Sequence, residues 1–218
     1  MAKDLAVVLN NGSLNSAVAT AIAAQKYRPI MLYVDLGAAT GGRMRAAYDQ
    51  QVAHFKPYRE HSLHVPLMGA LPSTGDAQAL AVDPRQTGSL GPQLVGLLPL
   101  ISVAVPFAAY YQVSAIYLGL RVGQAPDDLA QATEYVQILN ELAQIPCQLK
   151  ELEIVTPLLE LETWQVVDVG YQVGAPLDRG WSCLEETAEP CGACRGCRAR
   201  EAAFQQAAKP DPLRVVKK

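Results

Sequence analysis

Four cysteines, Cys183, Cys191, Cys194 and Cys197, lie close together near the end of the chain and restrict its fold more than any other feature. The last three repeat as C-x-x-C-x-x-C with Gly192 and Gly196 between them, and Cys183 lies eight residues upstream. Such a step folds back tightly enough for two sulfurs to reach one ion, and glycine permits the positive φ that these knuckles use. The four-sulfur spacing suits a closed, structural Zn²⁺ site, with an iron–sulfur cluster and disulfides as the competing readings. Arg195, Arg198 and Arg200 are placed to offset the excess negative charge of four thiolates.

Composition limits the rest. The chain has 218 residues, 50% hydrophobic and 18% charged, so it can bury a substantial core and is not disordered. A net charge of −3 gives no footprint for nucleic acid, which calls for a basic face. The N-terminal run reads as a first strand rather than a signal peptide, and with the clustered thiols it places the protein in the cytoplasm. Between Arg85 and Arg121 no residue is charged, which by length resembles a membrane span. Pro92, Pro99, Pro106, Gln93 and Gln112 interrupt that stretch, so we expect a buried helix followed by a buried strand, and no membrane.

An apolar run without alternation at 5–9, the alternation of 58–65, and the segments 29–34, 115–120 and 148–155 read as strands. Helical spacing marks 17–25, 41–55, 94–111, 127–143, 162–173 and 197–207, with Gly174-Ala-Pro176 as a stop signal. The residues from 66 to 92 read as a long functional loop. Strand and helix alternate throughout, so the expected fold class is α/β: a doubly wound, Rossmann-like parallel sheet with helices on both faces plus a C-terminal zinc-binding segment. Residues 1–180 form the α/β domain, and 181–218 form the metal segment and last helix, packed as one unit with it. Ligands bind beyond the C-terminal strand ends in such sheets, which gathers 10–16, 35–42, 119–126 and 156–161 around one crevice.

The first of those segments is a strand, then a short polar loop, then a helix, a plan that favours an anion through backbone N–H groups and the helix dipole. Ala6-Val-Val-Leu-Asn-Asn-Gly-Ser-Leu-Asn-Ser16, Ile116-Tyr-Leu-Gly119, Thr156-Pro-Leu-Leu-Glu-Leu161, Leu177 to Cys183, and Cys191-Gly-Ala-Cys-Arg-Gly-Cys-Arg198 together span nearly the whole chain. In this order they resemble the PP-loop (adenine nucleotide alpha-hydrolase) ATP pyrophosphatases, and more closely the 7-cyano-7-deazaguanine synthases of queuosine biosynthesis, the QueC family. The resemblance implies ATP with Mg²⁺ over Asn11, Gly12, Ser13, Asn15 and Ser16, and a structural zinc on the four cysteines. It also implies a homodimer and a small deazapurine substrate. The reaction would activate 7-carboxy-7-deazaguanine by adenylation, displace AMP with ammonia, and dehydrate the amide to a nitrile.

The loop departs from the family's Ser-Gly-Gly-x-Asp-Ser. Asn11 replaces the first Ser, Ser13 the second Gly and Asn15 the Asp, so only Gly12 and Ser16 match. The Tyr-Gly-Gln-Arg-like, Pro-x-Arg-Asn and lysine elements are also missing, their places taken by Leu36 to Arg43, Val95-Gly-Leu-Leu98 and Thr163. These losses all fall at the nucleotide and motivate a second reading: a non-catalytic or repurposed paralogue that binds a nucleotide-like ligand or a protein partner. Arg43, Arg45 and Arg121 are the remaining basic residues expected near the crevice, and Asp35 the carboxylate to test. Glu185, Glu186 and Glu189 read as an exposed acidic loop, His54, His61 and His64 as structural or exposed, and Cys147 as a buried thiol.

Overall fold

A computed structural model describes residues 4–37, 41–65, 90–147 and 151–215. Strands β1 (Leu5–Leu9), β2 (Arg28–Asp35), β3 (Arg59–His64), β4 (Ala115–Leu118) and β5 (Glu153–Val155) form one sheet in the order β3-β2-β1-β4-β5. Every pairing is parallel, with Leu9 beside both Leu32 and Leu118. Helices α1 (Leu14–Lys26), α2 (Gly41–Phe55), α3 (Leu90–Tyr111) and α4 (Pro126–Cys147) make the crossovers. They are followed by α5 (Thr163–Gln172), a 3-10 turn (Leu177–Arg179), α6 (Arg195–Gln206) and α7 (Pro212–Val215).

The pleat divides the strand side chains between two helical layers. Val7, Leu9, Ile30, Leu32, Ile116 and Leu118 pack with α3 and α4 through Leu97, Ile101, Ala104, Val136 and Leu139. Ala6, Val8, Ala115 and Tyr117 face the opposite way with Ala23 of α1, and Met31 and Tyr33 meet Tyr48 of α2. Strand order reverses between β1 and β4, so the crevice outside their C-terminal ends is the topological switch point. Gly119 lies there directly against α1: a Cβ on it would come within 2.8 Å of the Asn15 carbonyl carbon.

Some expected elements shift. The helix expected over 127–143 runs on to Cys147, and of the strand expected over 148–155 the described residues, from 151 on, form strand only at Glu153–Val155. Its partner β4 is only four residues long and offers pairing to 153–155 alone, while Glu141, Leu142 and Ala143 keep the sequence helix-compatible. Cys147 therefore ends a helix rather than preceding a strand, and its expected burial lies outside the described side chains. The long loop expected over 66–92 lies outside the described residues as far as 89, and α3 begins at Leu90.

The stretch 94–111, long and apolar enough to cross a membrane, packs one face on the sheet, but only 33% of it is buried. The expectation of a buried helix holds for that face alone.

Candidate metal centre and first-loop site

The metal segment begins where the chain leaves the 3-10 turn. Cys194 is the N-cap of α6, accepting the Cys197 N–H, and Cys197 sits in the first turn, so helix nucleation fixes two of the four sulfurs. All four Sγ atoms lie within 4.8 Å of one another, with Cys191 to Cys197 at 4.0 Å and Cys194 to Cys183 at 3.8 Å. Tetrahedral ligands about 2.3 Å from a single zinc fit that spacing, whereas a four-iron cluster puts each thiolate on a separate iron and spreads them.

Backbone N–H groups of Leu184, Glu185, Cys191, Cys194 and Cys197 donate to the sulfurs at 3.3–3.4 Å, which favours thiolates. Burial raises the Cys194 pKa, but the N–H groups of Leu184 and Cys197, with neighbouring thiols, outweigh it and bring it down to about 6. Burial pushes Cys197 up to about 12. One thiolate forms readily, and binding of a divalent cation favours the others.

The two glycines of the cysteine repeat have different tasks. Gly192 takes φ +73° in open space, as a knuckle requires. Gly196 has no positive φ; it is needed because a Cβ there would collide with the Ser182 carbonyl oxygen.

The expected arginine screen is also corrected in part. Arg200 is buried away from the sulfurs, where it pairs with Asp211 and donates to the Gly180 and Leu177 carbonyls. Glu185, Glu186 and Glu189 are exposed, as expected, and from there Glu186 accepts the Arg43 N–H at 3.0 Å in the first turn of α2.

The first loop lies against this segment. Trp181 N–H donates to Gly12 O at 2.9 Å, and Ser13 and Trp181 form an isolated parallel bridge. Trp181, Cys183 and Cys197 pack with Met44 and Ala47 of α2, while the Arg43 guanidinium lies 5.7 Å from the Trp181 ring centroid. Among the described residues, the buried Trp181 indole N–H has no hydrogen-bond partner.

Within the loop, Asn11 Oδ1 accepts from Ser13 N–H at 3.2 Å and from Ser16 Oγ–H at 2.6 Å. Ser13 Oγ accepts Ser16 N–H at 3.1 Å, which caps α1. Ser16 Oγ in turn accepts the Asn11 N–H and pairs with Ser13 Oγ. Asn11, Ser13 and Ser16 thus satisfy one another. Asn15 is half-buried, and its backbone carbonyl lies against Gly119.

Sequence reasoning missed what holds the loop from behind. Asn10 donates to Thr20 Oγ1 and to Gln51 Oε1 and accepts the Gly12 N–H. Gln51, fully buried, donates from Nε2 to the carbonyls of Gly12, Ser13 and Arg179. The available signal was spacing, because Gln51 falls on the buried stripe of α2 with Met44, Ala47 and Tyr48.

Gly12 has φ +81°, and a Cβ would overlap Met44 O and come within 2.9 Å of Tyr48 N. Close approach of α2 therefore demands this glycine. Gly12→Ala is expected to lower stability by about 2–4 kcal/mol, through positive-φ strain and displacement of α2. Urea unfolding checks this, and a midpoint equal to wild type would contradict it.

The other expected site residues are engaged elsewhere. Arg45 pairs with Asp49 at 2.8 Å and donates to Ser62. Arg121 reaches the Leu161 carbonyl at 3.5 Å, and burial lowers its pKa against the opposing pull of Glu162. Asp35 accepts the Gly37 N–H and meets His64 Nδ1 at 3.0 Å, while His61 pairs with Tyr111.

Residues 5–208 match the family model described as queuosine biosynthesis protein QueC. The 7-cyano-7-deazaguanine synthase of Chloroherpeton thalassium is 27% identical over 95% of this chain and 95% of that protein. The synthase of Acidobacterium capsulatum is 26% identical over 97% of this chain and 96% of its own. Among solved structures, the U34-tRNA thiolase NcsA from Methanococcus maripaludis, with its 4Fe-4S cluster, is similar over 94% of this chain and 64% of that one, at 14% identity and a TM-score of 0.48.

Proposed function

The chain belongs to the QueC family, and from that membership we propose that it acts in queuosine biosynthesis in the cytoplasm as a zinc-containing, homodimeric 7-cyano-7-deazaguanine synthase. The reaction would be ATP-dependent conversion of 7-carboxy-7-deazaguanine into 7-cyano-7-deazaguanine. The observation that carries this reading is the join between the two ends of the chain, where Trp181 bonds Gly12 beside the four cysteines. The family match spans both partners of that join.

In this reading Cys183, Cys191, Cys194 and Cys197 hold a structural zinc that fixes 181–206, and the metal segment works as one unit with the α/β domain. Bound ATP with magnesium would supply the adenylyl group, its phosphates meeting Asn11, Gly12, Ser13, Asn15 and Ser16.

A second reading is favoured by a specific observation: the side chains of Asn11, Ser13 and Ser16 are already hydrogen-bonded to one another. A phosphate must displace Asn11 from Ser13 N–H and Ser16 Oγ, and Asn15 supplies no carboxylate for magnesium. In that reading the protein binds a nucleotide-like ligand or a protein partner without turnover.

One incubation separates the two. The metal-loaded protein with ATP, magnesium, ammonia and 7-carboxy-7-deazaguanine is expected to release AMP and form the nitrile, read by mass spectrometry. Absence of both products in folded protein overturns the enzyme reading, and calorimetric titration with 7-cyano-7-deazaguanine then tests the binding reading.

A further inference from the structure

The turns that follow β4 and β5 are fastened together on one side of the switch-point crevice. Val122 and Gly123 donate their N–H groups to the Leu159 carbonyl at 2.8 and 3.1 Å. Gly119, at the root of the first turn, packs on the Asn15 backbone, so this turn also meets the start of α1. Arg121 stands where these segments converge. Its Nη1 lies 3.5 Å from the Leu161 carbonyl, over the second turn. A Cβ on Gly123 would come within 3.4 Å of that nitrogen and 3.2 Å of Glu162 Oε1, so glycine here leaves room for both side chains.

A guanidinium carries five N–H donors, and this one makes a single contact at the outer limit of a hydrogen bond. Among the described residues no carboxylate forms an ion pair with it. Glu162 is the acid that acts on it, but Glu162 Oε1 is held by the Gln124 N–H at 3.1 Å. The other two arginines expected at the crevice belong to α2, where Arg45 pairs with Asp49 and Arg43 lies against the Trp181 ring. Arg121 alone of the three stands at a strand end with donors to spare.

Burial draws this guanidinium partly out of water and lowers its pKa. An unpaired cation in such a place costs free energy, and an anion that joins it offsets that cost. The guanidinium fork matches a planar oxyanion through two parallel, charge-assisted bonds. Phosphate has its own donors in the backbone N–H groups that open α1, on the other side of the Gly119 contact. The anion left for Arg121 is a carboxylate.

We propose that Arg121 is a specificity-determining residue that holds the carboxylate of the acid substrate on the β4–β5 side of the crevice. This rests on the functional reading above and names the residue that separates an acid from its neutral product.

Calorimetric titration of the metal-loaded protein with 7-carboxy-7-deazaguanine, with 7-cyano-7-deazaguanine and with ATP and magnesium, one at a time, tests it. The wild-type chain is expected to bind the acid at least about tenfold more tightly than the nitrile. Arg121→Gln is expected to weaken acid binding by about 10- to 100-fold, the range for a hydrogen bond to a charged group, and to leave the nitrile and ATP unchanged. Arg121→Lys recovers only part of the loss, since an ammonium keeps the charge without the fork. If Arg121→Gln fails to fold, by circular dichroism and metal content, the lysine variant decides through the same ratio of acid to nitrile. An acid preference that survives a folded variant at wild-type strength overturns the proposal, as does a wild-type chain without that preference. Loss of ATP rather than of the acid overturns it in favour of a phosphate. The functional reading fails separately, by the absence of AMP and nitrile in the incubation above.

Discussion

Cys197→Ser is expected to cost the protein its metal and, with the metal, the fold of the last forty or so residues. Cys197 is 3% exposed in the first turn of α6, and its sulfur lies 4.0 Å from that of Cys191. Serine supplies a hard, protonated oxygen in place of a thiolate, and a three-sulfur set no longer closes a structural site. In small zinc domains metal binding supplies about 10–16 kcal/mol of folding free energy. Here part of the segment is also held by Leu177, Ala203 and Phe204, which pack with Val166 and Val167, so the loss falls first on 181–194. Metal analysis should fall from one equivalent of zinc per chain to none, and amide exchange should lose protection across 181–206. A variant that keeps stoichiometric zinc and wild-type protection contradicts this account. Stoichiometric iron and sulfide in the wild-type protein would replace zinc with a cluster.

Arg200→Ala is expected to destabilise by about 3–5 kcal/mol, the cost of removing one member of a buried ion pair. The Arg200 side chain is 5% exposed and that of Asp211 8%. The guanidinium donates to both Asp211 oxygens at 2.8 Å and to the Gly180 and Leu177 carbonyls at 2.7 Å each. Alanine leaves a carboxylate and two carbonyls buried without their donors. For a domain of this length the loss corresponds to a melting temperature lower by roughly 6–20 °C. Arg200→Lys should recover little, because a point charge with three donors cannot span the fork geometry. A melting temperature within a degree or so of wild type would show that Asp211 is solvated in solution.

The architecture was legible because its signals are local and repeated. Short apolar runs at Leu5–Leu9 and Ala115–Leu118, each followed by a glycine-containing turn, suit strands covered on both faces, and the helices between strands favour a parallel sheet. The four cysteines were legible because metal ligation fixes spacing in the sequence itself. What stayed hidden depends on partners far apart in the chain. Arg200 looked like a counter-ion for thiolates from its position, and only the docking of 177–180 and 211 shows it to be a clamp. Gly12 looked like a phosphate glycine, yet the backbone of α2 occupies the space a side chain would need. Asn10 and Gln51 carried no motif, and the helical spacing that puts Gln51 on the buried stripe of α2 says nothing of which distant groups it bonds.

The contact between Trp181 and Gly12 also bears on synthesis. A ribosome delivers β1, α1 and β2 early, and these can pair as soon as they emerge. The Gly12 carbonyl and the inner face of α2 then wait for a segment made much later. Until Trp181 docks, the N-terminal loop is a nascent, unsealed edge. Under the proposed zinc reading, metal supply in the cell would then set when that edge is sealed.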